Sequence, residues 1–142
     1  MDLVDCWFAN PDWWFTPTHK YDTYIVETFG HYIETELEVD NQPISLIRAI
    51  LVHDQISRHY ARVHHQSPTW IQDQTMRAVE YAQQLLDHPA FETLSPEIKV
   101  FTLLPLRHTR HIGNVTYCLR MIEEWNRNDP HPIYRRFYMA TL

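Results

Sequence analysis

A chain of 142 residues is long enough for one domain with a real core and too short for two ordinary ones. With 44% hydrophobic and 13% aromatic residues it is no disordered chain, and 2 Gly against 9 Pro argue against a hairpin-rich β fold and for helices separated by Pro-marked turns. The net charge of −6 is unevenly spread, because Met1 to Ile47 carries nine acids against one base, Lys20, and leaves the remainder net basic.

The acidic first third disfavours nucleic acid, and Arg107, Arg110, Arg120, Arg127, Arg135 and Arg136 make the C-terminal part the anion-facing one. Cys6 and Cys118 lack CxxC or Cys/His finger spacing, so no disulfide framework or structural zinc is expected. Acids follow Met1 where a secretory signal would carry Lys or Arg, and no apolar run reaches membrane-spanning length. The expectation is a cytoplasmic protein without a membrane partner, forming a single helical domain over residues 1–142.

In chain order, Trp7-Phe8 and Trp13-Trp14-Phe15 around Pro11 read as an irregular aromatic lead-in packed on the core. Tyr21, Ile25, Phe29, Tyr32 or Ile33, and Leu37 recur at helical spacing over Lys20 to Glu38, interrupted by Gly30. Pro43 opens a second helix through Tyr60. Ser67-Pro68 and Ser95-Pro96-Glu97 each combine a capping hydroxyl with Pro at the first helical position. They start a third helix running to about Asp87, with Ile71, Met76, Val79, Ala82 and Leu86 inward, and a fourth ending at Leu104 before Pro105. A fifth follows Thr109 with Ile112, Val115, Cys118 and Ile122 on one side, and Ile133 to Met139 forms a short last helix. The fold class expected is all-α, a tetratricopeptide-like array of about five to six antiparallel helices, although the chain shows no clean 34-residue self-similarity.

The richest segment is Ile44 to Arg62. Ile47, Leu51, Asp54 and Arg58 share one face of a helix of period 3.6, so a charged pair points where apolar residues point. Burying charges is costly unless they are paired and hydrogen-bonded, and acid before base at i, i+4 allows such pairing. The pair is either architectural or a site in which Arg58 grips an anion and Asp54 orients it or accepts a proton, with Gln55 and His59 alongside. His108 and His111, at i, i+3 on the fifth helix, have a spacing that metal sites in helical bundles use. Two His do not make a site, and neither metal nor cofactor is expected. P-loop, GxGxxG, GxSxG and HExxH motifs are absent.

The string Ile50-Leu51-Val52-His53-Asp54-Gln55-Ile56-Ser57-Arg58-His59 resembles the signature of the bacterial domain-of-unknown-function family 924, roughly Leu-Leu-Asp-Gln-Phe-Pro-Arg-Asn. Trp7-Phe8, Tyr21-Asp22, Trp70 with Asp73, and Phe101-Thr102-Leu103-Leu104-Pro105-Leu106-Arg107-His108-Thr109 resemble further blocks of that family in the same order. The resemblance implies a tetratricopeptide-like fold and no particular reaction, and it carries Asp54, Gln55, Arg58 and His108 over as matching positions. Arg107 and Arg110 stand where the family has Glu, which implies a pocket shifted toward positive charge. Arg135-Arg136-Phe137-Tyr138 is the remnant of a C-terminal motif that is otherwise lacking.

These readings converge on a helical binding module. Its polar groove is formed by Asp54, Gln55, Arg58 and His108, with Arg107 and Arg110 beside it, and recognises a protein segment or an anionic small molecule. The alternatives are a small hydrolase or transferase with His108 as base, and an RNA-contacting accessory protein.

Overall fold

The computed structural model describes residues 2–15 and 19–142, and those residues form helices and turns without strands. The helices are α1 (Leu3–Ala9), α2 (Asp22–Phe29), α3 (His31–Glu34), α4 (Pro43–Ile50), α5 (Ser57–His64), α6 (Pro68–Leu86), α7 (Pro96–His108), α8 (Ile112–Asn128) and α9 (Pro132–Thr141). Between α4 and α5 the helix continues as a π segment, Leu51–Ile56.

Proline sets the start of four helices. Pro43, Pro68, Pro96 and Pro132 each occupy the first turn, where a missing N–H costs nothing and the fixed φ suits a helix. The Ser67 and Ser95 hydroxyls cap α6 and α7 by accepting from the amides of Trp70 and Ile98, and His131 caps α9 by accepting from Ile133. The core runs between α4, α6 and α7, with α6 packed against both the others. Around it, α2 lies on α5, while α9 closes over α7 and α8.

Several elements depart from the sequence reading, each for an identifiable reason. The aromatic lead-in is helical at its start, because Asp2 caps α1 by accepting from the Val4 amide. A 3₁₀ turn at Pro11–Trp13 then folds Trp13 and Trp14 onto α1, where the Trp14 indole donates to Trp7 O at 2.9 Å. The first long helix ends early: Gly30 breaks it into α2 and α3, and Thr35 turns extended, so Leu37 reaches the core from irregular chain. On α6 the buried residues are Gln74, Thr75, Ala78, Val79, Ala82 and Leu85, which places Val79 and Ala82 inward as expected but leaves Met76 exposed; the alanines let α4 approach closely.

The fourth helix does not stop at Pro105. It carries Pro105 inside and continues to His108, since Pro removes only one hydrogen bond near the C-terminus of a helix buried over most of its length. His108 therefore ends α7, while His111 stands just before α8 without a side-chain capping bond, across a turn in which Arg110 takes φ 59°. The two histidines do not share a helix, and Ile112, expected to face inward, is exposed.

The kink at Gly30 permits a sharp prediction. A Cβ built there lies 2.5 Å from Val26 O, a backbone atom that cannot swing aside. Gly30→Ala lowers stability by about 1–3 kcal/mol, as overpacking does, and the urea midpoint measures it.

Candidate functional site

The π segment begins where the sequence is apolar on all sides: Leu46, Ile47, Ala49, Ile50, Leu51 and Val52 are all buried. A helix enclosed in this way gains from turning each successive side chain into a neighbour, and the widened turn accommodates that. The Ser57 amide reaches Val52 O, five residues back. The Ser57 hydroxyl donates to the carbonyl of His53, which a regular α-helix would have paired with the Ser57 amide.

The segment sends the Asp54 side chain wholly inside, at 1% exposure. Its Oδ1 accepts from His108 Nδ1 at 2.8 Å, its Oδ2 accepts from Gln55 Nε2 at 2.8 Å, and Arg58 Nη2 lies 3.8 Å from Oδ1. Arg58 Nη2 also donates to Thr75 Oγ1 on α6 at 3.3 Å. Burial pushes the Asp54 carboxyl upward, but the charge and hydrogen bond of His108 and the charge of Arg58 outweigh it and hold the carboxyl below its usual range. Asp54 is thus an anion inside the protein, and it fixes the positions of Arg58 and His108.

A second cluster of the same kind lies beside the first. Asp22, at the start of α2, accepts from His59 Nδ1 at 2.6 Å and from both Arg62 Nε and Nη2 at 2.9 Å. Burial again pushes the carboxyl up, and the bonds from Arg62 and His59 bring it below its usual value. A carboxylate oxygen only accepts, so Nδ1 carries a proton in both histidines; at His59 the 2.6 Å bond to Asp22 requires this even though Arg62 Nη2 also lies 3.1 Å from the same nitrogen. Burial lowers the His59 pKa despite Asp22, which keeps this imidazole neutral near neutral pH. His53, bonded through Nδ1 to Gln74 at 2.7 Å and stacked on Tyr81, is lowered by burial too.

Three concavities adjoin here. One of about 190 Å³ is walled by Arg58, Arg62, Arg107, His59 and His108, with Gln55, Leu104 and the rings of Trp13 and Phe15; no described residue on its wall is a carboxylate. One of about 410 Å³ lies along α6 and includes Arg58, His108 and Arg110. One of about 650 Å³ opens over His19, Asp22, Arg58, Arg62 and His65. Arg58 lines all three.

Of the residues singled out from sequence, Asp54, Gln55, Arg58 and His108 meet in one cluster. Arg107 lines the same small cavity but leans on α9, where its guanidinium lies 4.9 Å over the Phe137 ring and donates to Thr141 Oγ1 at 3.2 Å. Burial pulls its pKa down, while the Asp54 charge acts the other way. Arg110 lies outside that cavity and lines only the one along α6. Among the described residues no group of three His, Cys, Asp or Glu is arranged to hold a metal ion. Sequence reasoning missed Asp22, Arg62 and Thr75 and gave His59 a minor place. Helical spacing alone marks Gln55, Arg58, His59 and Arg62 as one face, whereas nothing in the sequence ties Asp22 to residues 37 and 40 positions later.

The fold and these clusters describe an all-α protein with two buried carboxylates that orient histidine and arginine toward a common cavity. Over residues 3–140 the chain matches the family described as a bacterial protein of unknown function (DUF924), and it belongs to that family. No curated protein and no solved structure matches it. No helix among the described residues is long and apolar enough to cross a membrane.

Two stability predictions follow from the buried charges. Asp54→Ala leaves Arg58 without its buried counter-ion and His108 without its acceptor and costs about 3–5 kcal/mol, whereas Asp73→Ala, on the exposed face of α6, leaves the denaturation midpoint unchanged. Stability also depends on pH with a fixed sign. His53 and His59 have folded pKa values below the ordinary 6.5 and Asp22 and Asp54 below the ordinary 3.8, so the unfolded chain binds more protons in both windows. The urea midpoint falls as pH drops below about 6.5, and falls again below about 3.8.

Proposed function

We propose that the chain acts as one helical domain that binds an anionic small molecule, with Arg58 at the centre of the site. The observation that carries this reading is the position of Arg58 at the meeting of three concavities whose walls gather cationic side chains in a protein of net charge −6. Arg58 is held by Asp54 and Thr75 through Nη2, and among the described residues its Nη1 makes no hydrogen bond, so half the guanidinium fork is available to a ligand oxygen. A guanidinium fixed in place loses little freedom on binding, which favours bidentate recognition of phosphate or carboxylate. Gln55, Arg107 and His108 surround the same cavity, and Arg110 extends the positive surface along α6.

Asp54 acts in this reading without touching the ligand. Its carboxylate balances the charge of Arg58, accepts from His108 and orients both, a division of labour in which the buried acid positions and the more exposed side chains bind. A second reading, a small hydrolase or transferase with His108 as base, is favoured by one observation: the 2.8 Å bond from His108 Nδ1 to Asp54 leaves Nε2 as the reactive nitrogen.

A thermal-shift titration with inorganic phosphate, nucleotides and dicarboxylates tests the binding reading. An anion at 100 times its dissociation constant adds about 2.7 kcal/mol, a shift of a few degrees for a domain of this size. Arg58→Ala abolishes the shift and Arg58→Lys reduces it, since Lys keeps the charge and loses the fork. Absence of any shift in the unmodified protein, or an undiminished shift in Arg58→Ala, overturns the reading.

A further inference from the structure

We propose that the cavity of about 190 Å³ is the active site of a phosphodiester hydrolase in which His59 and His108 form the acid–base pair. The inference rests on the anion-binding reading above and adds chemistry to it. Each histidine is bonded through Nδ1 to a buried carboxylate, His59 to Asp22 at 2.6 Å and His108 to Asp54 at 2.8 Å. Among the described residues neither Nε2 has a hydrogen-bond partner, neither is a buried orphan, and both rings line the same cavity. Two separate carboxylates from two separate elements thus hold a proton on Nδ1 of two histidines at one cavity wall and leave both Nε2 atoms free for chemistry. A structural salt bridge would need only one such pair, and neither pair requires the histidine to reach the cavity.

The two rings differ in a way that assigns their roles. His59 faces Asp22 and Arg62, with His19 nearby and the edge of Trp7 against it, and burial keeps it neutral. His108 is bonded to the fully buried Asp54 carboxylate and stands beside Arg58 and Arg107 at the more open side of the cavity wall. In the reaction a water oxygen forms a bond to phosphorus while His59 Nε2 takes the proton of that water. The bond from phosphorus to the leaving oxygen breaks, its electron pair stays on that oxygen, and His108 Nε2–H protonates it. Arg58 and Arg107 hold the non-bridging oxygens as charge develops on them. The products are a phosphomonoester and an alcohol, and exchange with solvent returns each imidazole to its starting state.

The full chain is assayed with bis(4-nitrophenyl) phosphate and with 2′,3′-cyclic cytidine monophosphate, whose ring opening releases an alkoxide that needs an acid. Inorganic phosphate binding is measured on the same samples. Turnover with a bell-shaped pH dependence of kcat/KM is expected. His59→Asn and His108→Asn each keep a donor for the carboxylate and remove Nε2, and each lowers kcat/KM for the cyclic ester about 100-fold or more. His59→Asn removes the acidic limb of the profile and His108→Asn the alkaline limb, a separation that a merely structural role does not produce. If a variant melts early, diethyl pyrocarbonate labelling of the unmodified protein replaces it, with His59 and His108 shielded by phosphate. A protein that binds phosphate and turns over neither ester, or that loses no limb and shows no shielding, overturns the inference and leaves the binding reading standing. A protein that binds no anion overturns both.

Discussion

A single ionised carboxylate without solvent governs this structure. Asp54 is buried in the middle of the chain's longest continuous helical run, and an ion in that position persists only when its charge and its lone pairs are answered. The answers come from three directions: Gln55 beside it, Arg58 one turn on, and His108 from the end of α7. This requirement links elements far apart in sequence. α7 must run past Pro105 to deliver His108, and α6 must present Thr75 to hold the other side of Arg58. Packing of α6 between α4 and α7 brings those surfaces together, and the charged cluster then makes their register specific.

The π segment is the backbone's part in the same arrangement. A widened turn forfeits regular hydrogen bonding, and such turns recur at functional sites because they re-aim side chains that a regular helix would place elsewhere. Here the loss is repaired by the Ser57 hydroxyl on His53 O. The gain is a run from Leu51 to Asp54 that is buried at every position. The following turns of α5 carry Arg58, His59 and Arg62 along one flank, where Asp22 collects two of them.

Charge distribution ties these local features to the whole. The first third of the chain is strongly acidic, yet of its nine acids only Asp22 is buried; the others lie exposed on the surface. Arg58, Arg62 and Arg107, by contrast, line one cavity, held by two carboxylates and, for Arg107, by the face of Phe137. A negatively charged exterior around a positive recess discourages nonspecific association with polyanions and is compatible with the proposed binding of a small anion.

The all-α class was legible because helical starts are written locally: Pro in the first turn with a capping hydroxyl before it fixes a helix whatever surrounds it, as at Ser67-Pro68 and Ser95-Pro96. The burial of Asp54 was legible for a similar reason, since Ile47, Leu51 and Asp54 follow one stripe. Where stopping signals compete with packing, sequence misled: Pro105 is a local breaker that a buried helix absorbs, and Met76 has core chemistry on a face that Ala78 and Ala82 had already claimed by being small. The site divides along the same line. Asp54, Gln55 and Arg58 lie within one turn of each other, so the sequence by itself determined their association. Asp22 with His59 and Arg62, Thr75 with Arg58, and the shared cavity of His59 and His108 were decided only by tertiary structure, because those partners come from helices whose relative placement depends on burial summed over the whole core.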